Sequence, residues 1–204
     1  MRKIIQIGFN KCGTRSLYHF FMRNGIPSVH FMNGIDGKQI ERGTVARSMM
    51  ENLTTAKAPF HGHEEYAFYS DLTTPAFMGL FEGHFFFREI YESYPESFFI
   101  LNTRNVEDWI QSRLNHGGNQ IKRFREHYGL IDDQDVVKLW RNQWESHHDR
   151  VTGFFSDKTG KLIVFDIDRH GGEYLAKALE PTYSLDPKLW GHYGKTEKRY
   201  RREE

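Results

Sequence analysis

Cysteine is nearly absent from the 204-residue chain, whose single cysteine is Cys12. One cysteine can form neither an intramolecular disulfide nor a cysteine-based metal cluster, and this favours a reducing compartment. No apolar stretch reaches the roughly 18 residues that a membrane-spanning helix needs. The apolar run near the N terminus is also too short for a secretion signal. We therefore predict a protein without a membrane span that is located in the cytoplasm.

Net charge is low as well, because 28 Lys and Arg residues and 27 Asp and Glu residues leave a charge of +1. Such a chain has no general basic field for nucleic acid, so we expect no nucleic-acid partner and predict that any anion site is local. No His-Glu-x-x-His metal motif is present. The adjacent His147 and His148 cannot share one face of a helix, so we expect no bound metal ion.

Short apolar runs alternate with amphipathic segments along the chain, and these patterns predict strands and helices respectively. The predicted strands are residues 3–9, 27–32, 65–71, 97–104 and 161–167, and the predicted helices are residues 14–25, 41–53, 75–95, 105–118, 132–157 and 171–180. This alternation favours a mostly parallel sheet flanked by helices. We predict one α/β domain over residues 1–204, whose last ten or so residues form a solvated, mobile tail.

The segment "IGFNKCGTRSL", residues 7–17, places a glycine-bounded loop between the first strand and the first helix. Such a loop directs backbone N–H groups and the positive end of a helix at one point, which suits a phosphate. In nucleotide kinases a lysine follows the second glycine, but here Thr14 follows Gly13 and the lysine is Lys11, inside the loop. An ordinary turn with solvated Lys11 and Arg15 is the simpler alternative.

A second strand-loop-helix unit, "FILNTRNVEDWIQSRL", has Arg104 at its strand end and Ser112 about two turns into its helix. Both residues would lie at the sheet edge where open α/β folds bind ligands. Two anion-binding strand ends indicate a ligand with two separate phosphate groups. The alternatives are an ion pair of Arg104 with Glu107 or Asp108, and a solvent-facing Ser112.

These two segments resemble the cytosolic-type sulfotransferases that use 3′-phosphoadenosine 5′-phosphosulfate (PAPS), and the order of "YSD", "YP" and the arginine strand resembles their bacterial-type branch. The resemblance implies a mononucleotide-binding fold like that of P-loop NTPases, and PAPS as co-substrate without a metal. Residues 33–58 match nothing in that pattern. The basic glycine motif that covers the 3′-phosphate in many relatives is not found, and "WGHYGKTEKRYRR" is its possible replacement. The implied donor-binding residues are Asn10, Lys11, Cys12, Gly13, Thr14, Arg15, Ser16, Arg104 and Ser112.

Sulfuryl transfer to a hydroxyl or amine needs charge neutralisation on the leaving phosphate and a general base for the acceptor. The resemblance assigns the first task to Lys11 and favours Asp71 for the second, with His61 and His63 as alternatives. Capping of a following helix is an alternative role for Asp71. Residues 33–64 and 116–135 are expected to be loops rich in polar groups, which favours a polar small-molecule or carbohydrate acceptor.

Two other functions are compatible with the same loop. A nucleotide or small-molecule kinase with an atypical loop would require magnesium and ATP, and a non-catalytic descendant would bind nucleotide weakly on an intact fold. Nucleotide binding with and without magnesium separates these functions from a sulfotransferase.

Overall fold

The computed structural model describes residues 2–40, 43–76, 79–116 and 120–194, except for the side chains of Asp36 and Gln120. Five strands form one parallel sheet in the order β2-β3-β1-β6-β7, and β4 and β5 form an antiparallel hairpin. The strands are β1 Ile4–Gln6, β2 Ser28–His30, β3 Phe68–Ser70, β4 Thr73–Ala76, β5 Gly79–Glu82, β6 Phe98–Thr103 and β7 Leu162–Asp166. The helices are α1 Thr14–Arg23, α2 Val45–Thr54, α3 Phe87–Ser93, α4 Val106–Leu114, α5 Gln120–Tyr128, α6 Asp133–Phe155 and α7 Gly172–Leu179.

Apolar side chains on both faces of the sheet explain why it is covered on both sides. Because side chains alternate along a strand, Phe98 and Ile100 of β6 pack with α1 and α7, whereas Phe99 and Leu101 pack with α2, α3 and α6. A parallel sheet with helices on both faces confirms the predicted fold class.

A third apolar cluster lies beneath the glycine-bounded loop and is built around tryptophan. Trp109 of α4 and Trp140 and Trp144 of α6 are buried there together with Phe9 of the loop. The stacked rings of Phe9 and Trp144, with centroids 5.3 Å apart, fix the underside of the loop on α6.

The predicted helix over residues 75–95 is wrong for its first half. Thr73–Ala76 and Gly79–Glu82 form the antiparallel strands β4 and β5, and the helix α3 begins only at Phe87. Gly79 has a φ of 113°, outside the helical region. Gly83 lies so close to its neighbours that an added Cβ would be 2.8 Å from the Met49 sulfur and 3.1 Å from the Leu72 carbonyl oxygen. These tertiary constraints override the helical spacing of the aromatic residues.

The expectation of a loop over residues 116–135 is also wrong in its middle, because residues 120–128 form α5. The side chains of Phe124 and Trp140 are in edge contact, with ring centroids 5.5 Å apart, and this contact fixes α5 against α6. The many charged residues of this segment lie on the outside of an amphipathic helix, and their number conceals the apolar spacing of Ile121, Phe124 and Tyr128.

Residues 195–204, for which we predict a mobile tail, lie outside the described residues. In the part of the chain that the structure describes, no helix is both long and apolar enough to cross a membrane.

Candidate active site

The two segments that the sequence singles out meet at one edge of the sheet. Strands β1 and β6 are neighbours, so the loop that follows β1 and Arg104, which follows β6, both lie at the carboxyl ends of adjacent parallel strands. This edge is where open α/β folds bind ligands.

The backbone of the loop is in a conformation that favours an anion. Lys11 and Gly13 have φ angles of 64° and 77°, and no side chain caps the first turn of α1. Uncapped N–H groups at a helix N terminus are available to an anion. A Cβ at Gly13 would come within 2.0 Å of the Ile167 side chain, so both the φ angle and the packing require glycine here.

Asn102, a buried residue of β6, holds the loop in shape. Its Nδ2 donates to the carbonyl oxygens of Phe9 and Cys12, both at 2.9 Å, and its Oδ1 accepts from Gly8 N at 3.1 Å and from Gln6 Nε2 at 2.6 Å. One carboxamide thus satisfies several loop groups at once. The sequence analysis missed Asn102, although an asparagine inside the apolar run "FFILNT" is a signal that could have identified it.

Two of the predicted donor-binding residues are tied to the protein interior. The Trp109 Nε1 group donates to the Asn10 carbonyl oxygen at 3.0 Å. The Cys12 side chain is fully buried, and burial raises the pKa of its thiol, so the thiol is neutral at neutral pH. Cys12 therefore acts as a small apolar filler, and only its backbone N–H could contact a ligand.

A cavity of about 710 Å³ lies above the loop and has two walls. The loop wall consists of Lys11, Gly13, Ser16, Arg104 and Ser112, and the C-terminal wall consists of residues 167–171, Trp190 and residues 192–194. Five of the nine predicted donor-binding residues thus line one cavity. Its size is within the range of small-molecule and cofactor sites.

Arg104 is partly buried between the two walls. Its Nη1 donates to the Lys11 carbonyl oxygen at 3.3 Å, and its Nη2 is 3.7 Å from Asp168 Oδ1. Its predicted alternative partner Glu107 instead forms an ion pair with Arg141, with Nη2 and Oε2 2.9 Å apart. The guanidinium group is therefore turned toward the cavity and away from α4.

The C-terminal wall is anchored on α1. The Tyr193 backbone N–H donates to Ser16 Oγ at 2.9 Å, and the Tyr193 ring lies 4.2 Å from the His19 ring. Because Ser16 Oγ accepts this bond, its own proton can be donated to a ligand. The start of the segment "WGHYGKTEKRYRR" thus lines the cavity, while the part from residue 195 onward lies outside the described residues.

Arg15 and Thr14 contact a second group of residues around His30. Arg15 lines a second cavity of about 570 Å³ that is formed with Tyr18, His19, Met22, His30, Asn33 and Gly37. Thr14 is buried, and its Oγ1 lies 3.2 Å from Nε2 of His30, one of the residues of that second cavity. Arg15 thus lines this second cavity, and its side chain also lies beside Gly194 of the C-terminal wall.

The Lys11 ammonium lies near groups that the sequence analysis did not combine. Its Nζ is 3.2 Å from His116 Nδ1, at the end of α4. Burial lowers the pKa of Lys11, the Asp71 carboxylate opposes that shift, and Arg15 and Arg104 reinforce it.

Asp71 follows β3 with a φ of 52°, an uncommon angle for a residue with a side chain. Its Oδ1 accepts from Thr73 Oγ1 at 2.9 Å, and its Oδ2 is 3.8 Å from His30 Nε2. The segment after Asp71 is strand β4, so Asp71 caps no helix. Burial lowers the pKa of His30, and Asp71 opposes the shift. Asp71 is thus close to His30 and near enough to Lys11 to oppose the lowering of the lysine's pKa.

The two alternative bases, His61 and His63, are not brought to the loop. His63 is buried with its Nε2 2.9 Å from Ser48 Oγ, and its carbonyl oxygen accepts from the Tyr69 hydroxyl at 2.6 Å. That hydroxyl also accepts from Lys3 Nζ, and Lys3 precedes β1 at the amino edge of the sheet. His61 is exposed on the same turn. The contacts of these histidines thus run to α2 and to the Tyr69 hydroxyl, which Lys3 also reaches from the amino edge of the sheet.

A comparison of the sequence with known protein families agrees with the function suggested by this site. A family model described as a sulfotransferase domain matches residues 3–161. The chain belongs to the sulfotransferase family. No curated protein sequence matches it significantly. The matched residues contain the entire loop wall, whereas the C-terminal wall of this sulfotransferase-family protein lies beyond them.

Proposed function

We propose that this sulfotransferase-family protein transfers a sulfuryl group from PAPS to a hydroxyl or amine of a polar small-molecule or carbohydrate acceptor. The observation that carries the proposal is the single cavity that joins Lys11, Gly13 and Ser16 to Arg104 and Ser112. Two cationic groups at two strand ends suit a donor with a phosphosulfate and a separate 3′-phosphate. Arg104 and Ser112 would bind the 3′-phosphate, and the loop amides with Ser16 would bind the 5′-phosphate.

Lys11 is the proposed electrostatic catalyst. In the reaction, the acceptor oxygen or nitrogen forms a bond to sulfur while the bond between sulfur and the phosphate oxygen breaks, and adenosine 3′,5′-bisphosphate leaves. Negative charge grows on the phosphate oxygen during this step, and an ammonium group already placed there stabilises the transition state more than the bound donor.

Asp71 is the proposed general base that takes the acceptor proton. Its carboxylate accepts a hydrogen bond from the Thr73 hydroxyl and acts electrostatically on Lys11, and this proximity to the proposed catalytic lysine supports the role. The contacts of His61 and His63, which run to α2 and to the Tyr69 hydroxyl, support Asp71 over these two alternatives.

The second cavity supports a polar acceptor. Its lining combines the cationic side chain of Arg15 with His19, His30, Asn33 and the Tyr18 ring, and His30 is within 3.8 Å of the Asp71 carboxylate. A sugar or another ligand with several hydroxyl groups would find hydrogen-bond partners there. A mass-spectrometric screen of acceptors with PAPS tests this choice, and preferential sulfation of simple phenols would contradict it.

Calorimetry with adenosine 3′,5′-bisphosphate in the presence of a chelator tests the donor. We expect binding without magnesium, and in a thermal-shift assay a ligand at about 100 times its Kd adds roughly 2.7 kcal/mol of stability. Strict dependence on magnesium and ATP would instead identify a kinase, and uniformly weak nucleotide binding would identify a non-catalytic descendant. Among the described residues no group of three His, Cys, Asp or Glu is arranged to hold a metal ion. Metal independence and the cytoplasmic location stay predictions.

A further inference from the structure

We propose that His116 is a positioning residue for Lys11, which holds the lysine ammonium over the loop so that its remaining N–H groups point at the sulfuryl donor. This inference deepens the proposed function and rests on it. It adds a residue outside the glycine-bounded loop, the Arg104 segment and the candidate bases.

The position of His116 is set by the helix that also carries Ser112. His116 follows Asn115, the C-cap of α4, and its backbone N–H donates to the Arg113 carbonyl oxygen at 3.1 Å. Four residues earlier, Ser112 lines the cavity of the loop wall. The last turns of α4 and the residue after its C-cap therefore direct Ser112 to the proposed donor site and His116 to Lys11.

The contact between Lys11 and His116 defines which atom carries the proton. An ammonium group has three N–H donors and no acceptor, so Nδ1 of His116, 3.2 Å from Lys11 Nζ, must accept. The neutral imidazole then carries its proton on Nε2. With one ammonium proton engaged in this way, two remain for the oxygens of a phosphosulfate.

Lysine needs such a partner because its side chain is long and flexible. The φ of 64° fixes where the Lys11 side chain leaves the loop, but four further bonds rotate before Nζ. A hydrogen bond at the tip fixes the far end as well. Fixing a catalytic group before the substrate arrives is a general source of rate acceleration.

The charged groups that face His116 come from three segments. They are Lys11 of the loop, Asp71 after β3 and Arg113 of α4. Burial, Lys11 and Arg113 lower the pKa of His116, and Asp71 opposes them. His116 is therefore neutral at neutral pH. Its protonation in acid would place two cations side by side and displace the lysine tip.

Kinetics of matched variants test the inference. His116→Ala should lower kcat roughly 10- to 100-fold, the loss expected for one hydrogen bond to a charged group, with a smaller change in the donor KM. His116→Asn should restore most of kcat because the asparagine Oδ1 occupies nearly the place of Nδ1, whereas the longer His116→Gln should restore less. His127→Ala is the control, since His127 is an exposed histidine of α5 with no proposed role in the site.

The pH profile distinguishes positioning from a merely structural role. In the wild-type protein, kcat/KM should fall as the pH falls through the lowered pKa of His116. This fall should be shallower in His116→Asn, which has no titrating ring at this position but keeps the proposed general base Asp71. Equal kcat and an equal acid limb in wild type and His116→Ala would overturn the inference, as would a His116→Asn variant no more active than His116→Ala.

An NMR titration of the His116 ring gives a readout that needs no turnover. Replacing Lys11 by methionine should raise the pKa of His116, because the neighbouring positive charge is removed. An unchanged pKa would overturn the inference whatever the protein transfers. A wild-type protein that shows the shift but does not consume PAPS would overturn the proposed donor and leave the positioning contact standing.

Discussion

The two walls of the cavity above the loop differ in how the chain specifies them. The loop wall is built from two strand-loop-helix units whose residue spacing is visible over about ten positions of sequence, and it lies within the matched sulfotransferase domain. The C-terminal wall is brought to the cavity by distant contacts, such as that of Tyr193 with Ser16, which are 177 positions apart. We infer that the first wall supplies the chemistry of transfer, whereas the second shapes and encloses the donor.

The sharpest test of this division is Lys11→Ala, for which we expect the largest effect. If Lys11 offsets charge on the leaving phosphate, its loss should lower kcat by about 10² to 10³, or roughly 3 to 4 kcal/mol of barrier, with little loss of donor binding. Arg104→Ala is the matched control. It removes a cation remote from the reacting sulfur, so weaker donor binding should be its first effect. Steady-state kinetics at saturating donor decide between the two patterns, and a near-normal kcat in Lys11→Ala would exclude the proposed catalytic role.

Asn102→Ala should have the next largest effect and should act on folding as well as on function. It leaves the buried carbonyl groups of Phe9 and Cys12 without their donor, which we expect to lower the free energy of unfolding by about 3 kcal/mol. Urea denaturation measures this loss. Donor binding should weaken too, because the loop amides lose their fixed arrangement. Asn105→Ala, which removes the N-cap of α4, is a control expected to cost only about 1 kcal/mol.

Acid should destabilise the underside of the loop wall. Burial lowers the pKa of His147 to about 4, and its Nε2 donates to the Ile7 carbonyl oxygen at 2.7 Å. The unfolded chain therefore binds more protons between about pH 6.5 and 4, so the stability contributed by the neutral ring is complete above pH 6.5 and is lost as the pH falls. By pH 5 about 2 kcal/mol should be gone. Urea denaturation at several pH values measures the slope. His147→Gln keeps a donor without a titrating ring and should flatten it, and an unchanged slope would contradict this assignment.

Tyr193→Ala should have the smallest effect, and it tests the C-terminal wall. The variant keeps the backbone N–H that reaches Ser16 but removes the ring that packs on His19, an aromatic contact of roughly 1 kcal/mol. We expect donor binding to weaken about fivefold with unchanged kcat, as measured by calorimetry and steady-state kinetics. A fall in kcat comparable to that of Lys11→Ala would mean that both walls take part in the chemical step.

Sequence patterns were sufficient for the parallel sheet and for the loop wall because both depend on short-range order. The buried run "FFILNT", the spacing of Gly8 and Gly13, and the helix predicted from residue 105 onward all predict local structure that the fold confirms. The location of Arg104 and Ser112 at the sheet edge was predicted from the same local pattern of strand, loop and helix. Their joining to Lys11 in one cavity required only that neighbouring parallel strands end at one edge.

The other features of the fold and the site could not be predicted because they depend on contacts between residues that are distant in the sequence. Asn102 bonds to residues 90 to 96 positions away, and Lys11 and His116 are separated by 105 positions. The aromatic residues of the segment 75–95 have helical spacing, but the close packing at Gly83 and the backbone of Gly79 impose a hairpin. Local propensity is a weak guide wherever tertiary packing opposes it.

The hydrogen bonds between Asn102 and the loop backbone have a thermodynamic consequence. Because the carboxamide and the Trp109 indole hold the loop from below, the chain loses the conformational entropy of this segment when it folds, before any ligand arrives. A preorganised loop binds with less ordering cost than one that closes around its ligand. Even a fragment of the proposed donor, such as adenosine 5′-phosphosulfate without its 3′-phosphate, should therefore bind to a loop that is already ordered. The 3′-phosphate should then add affinity without any cost of ordering the loop.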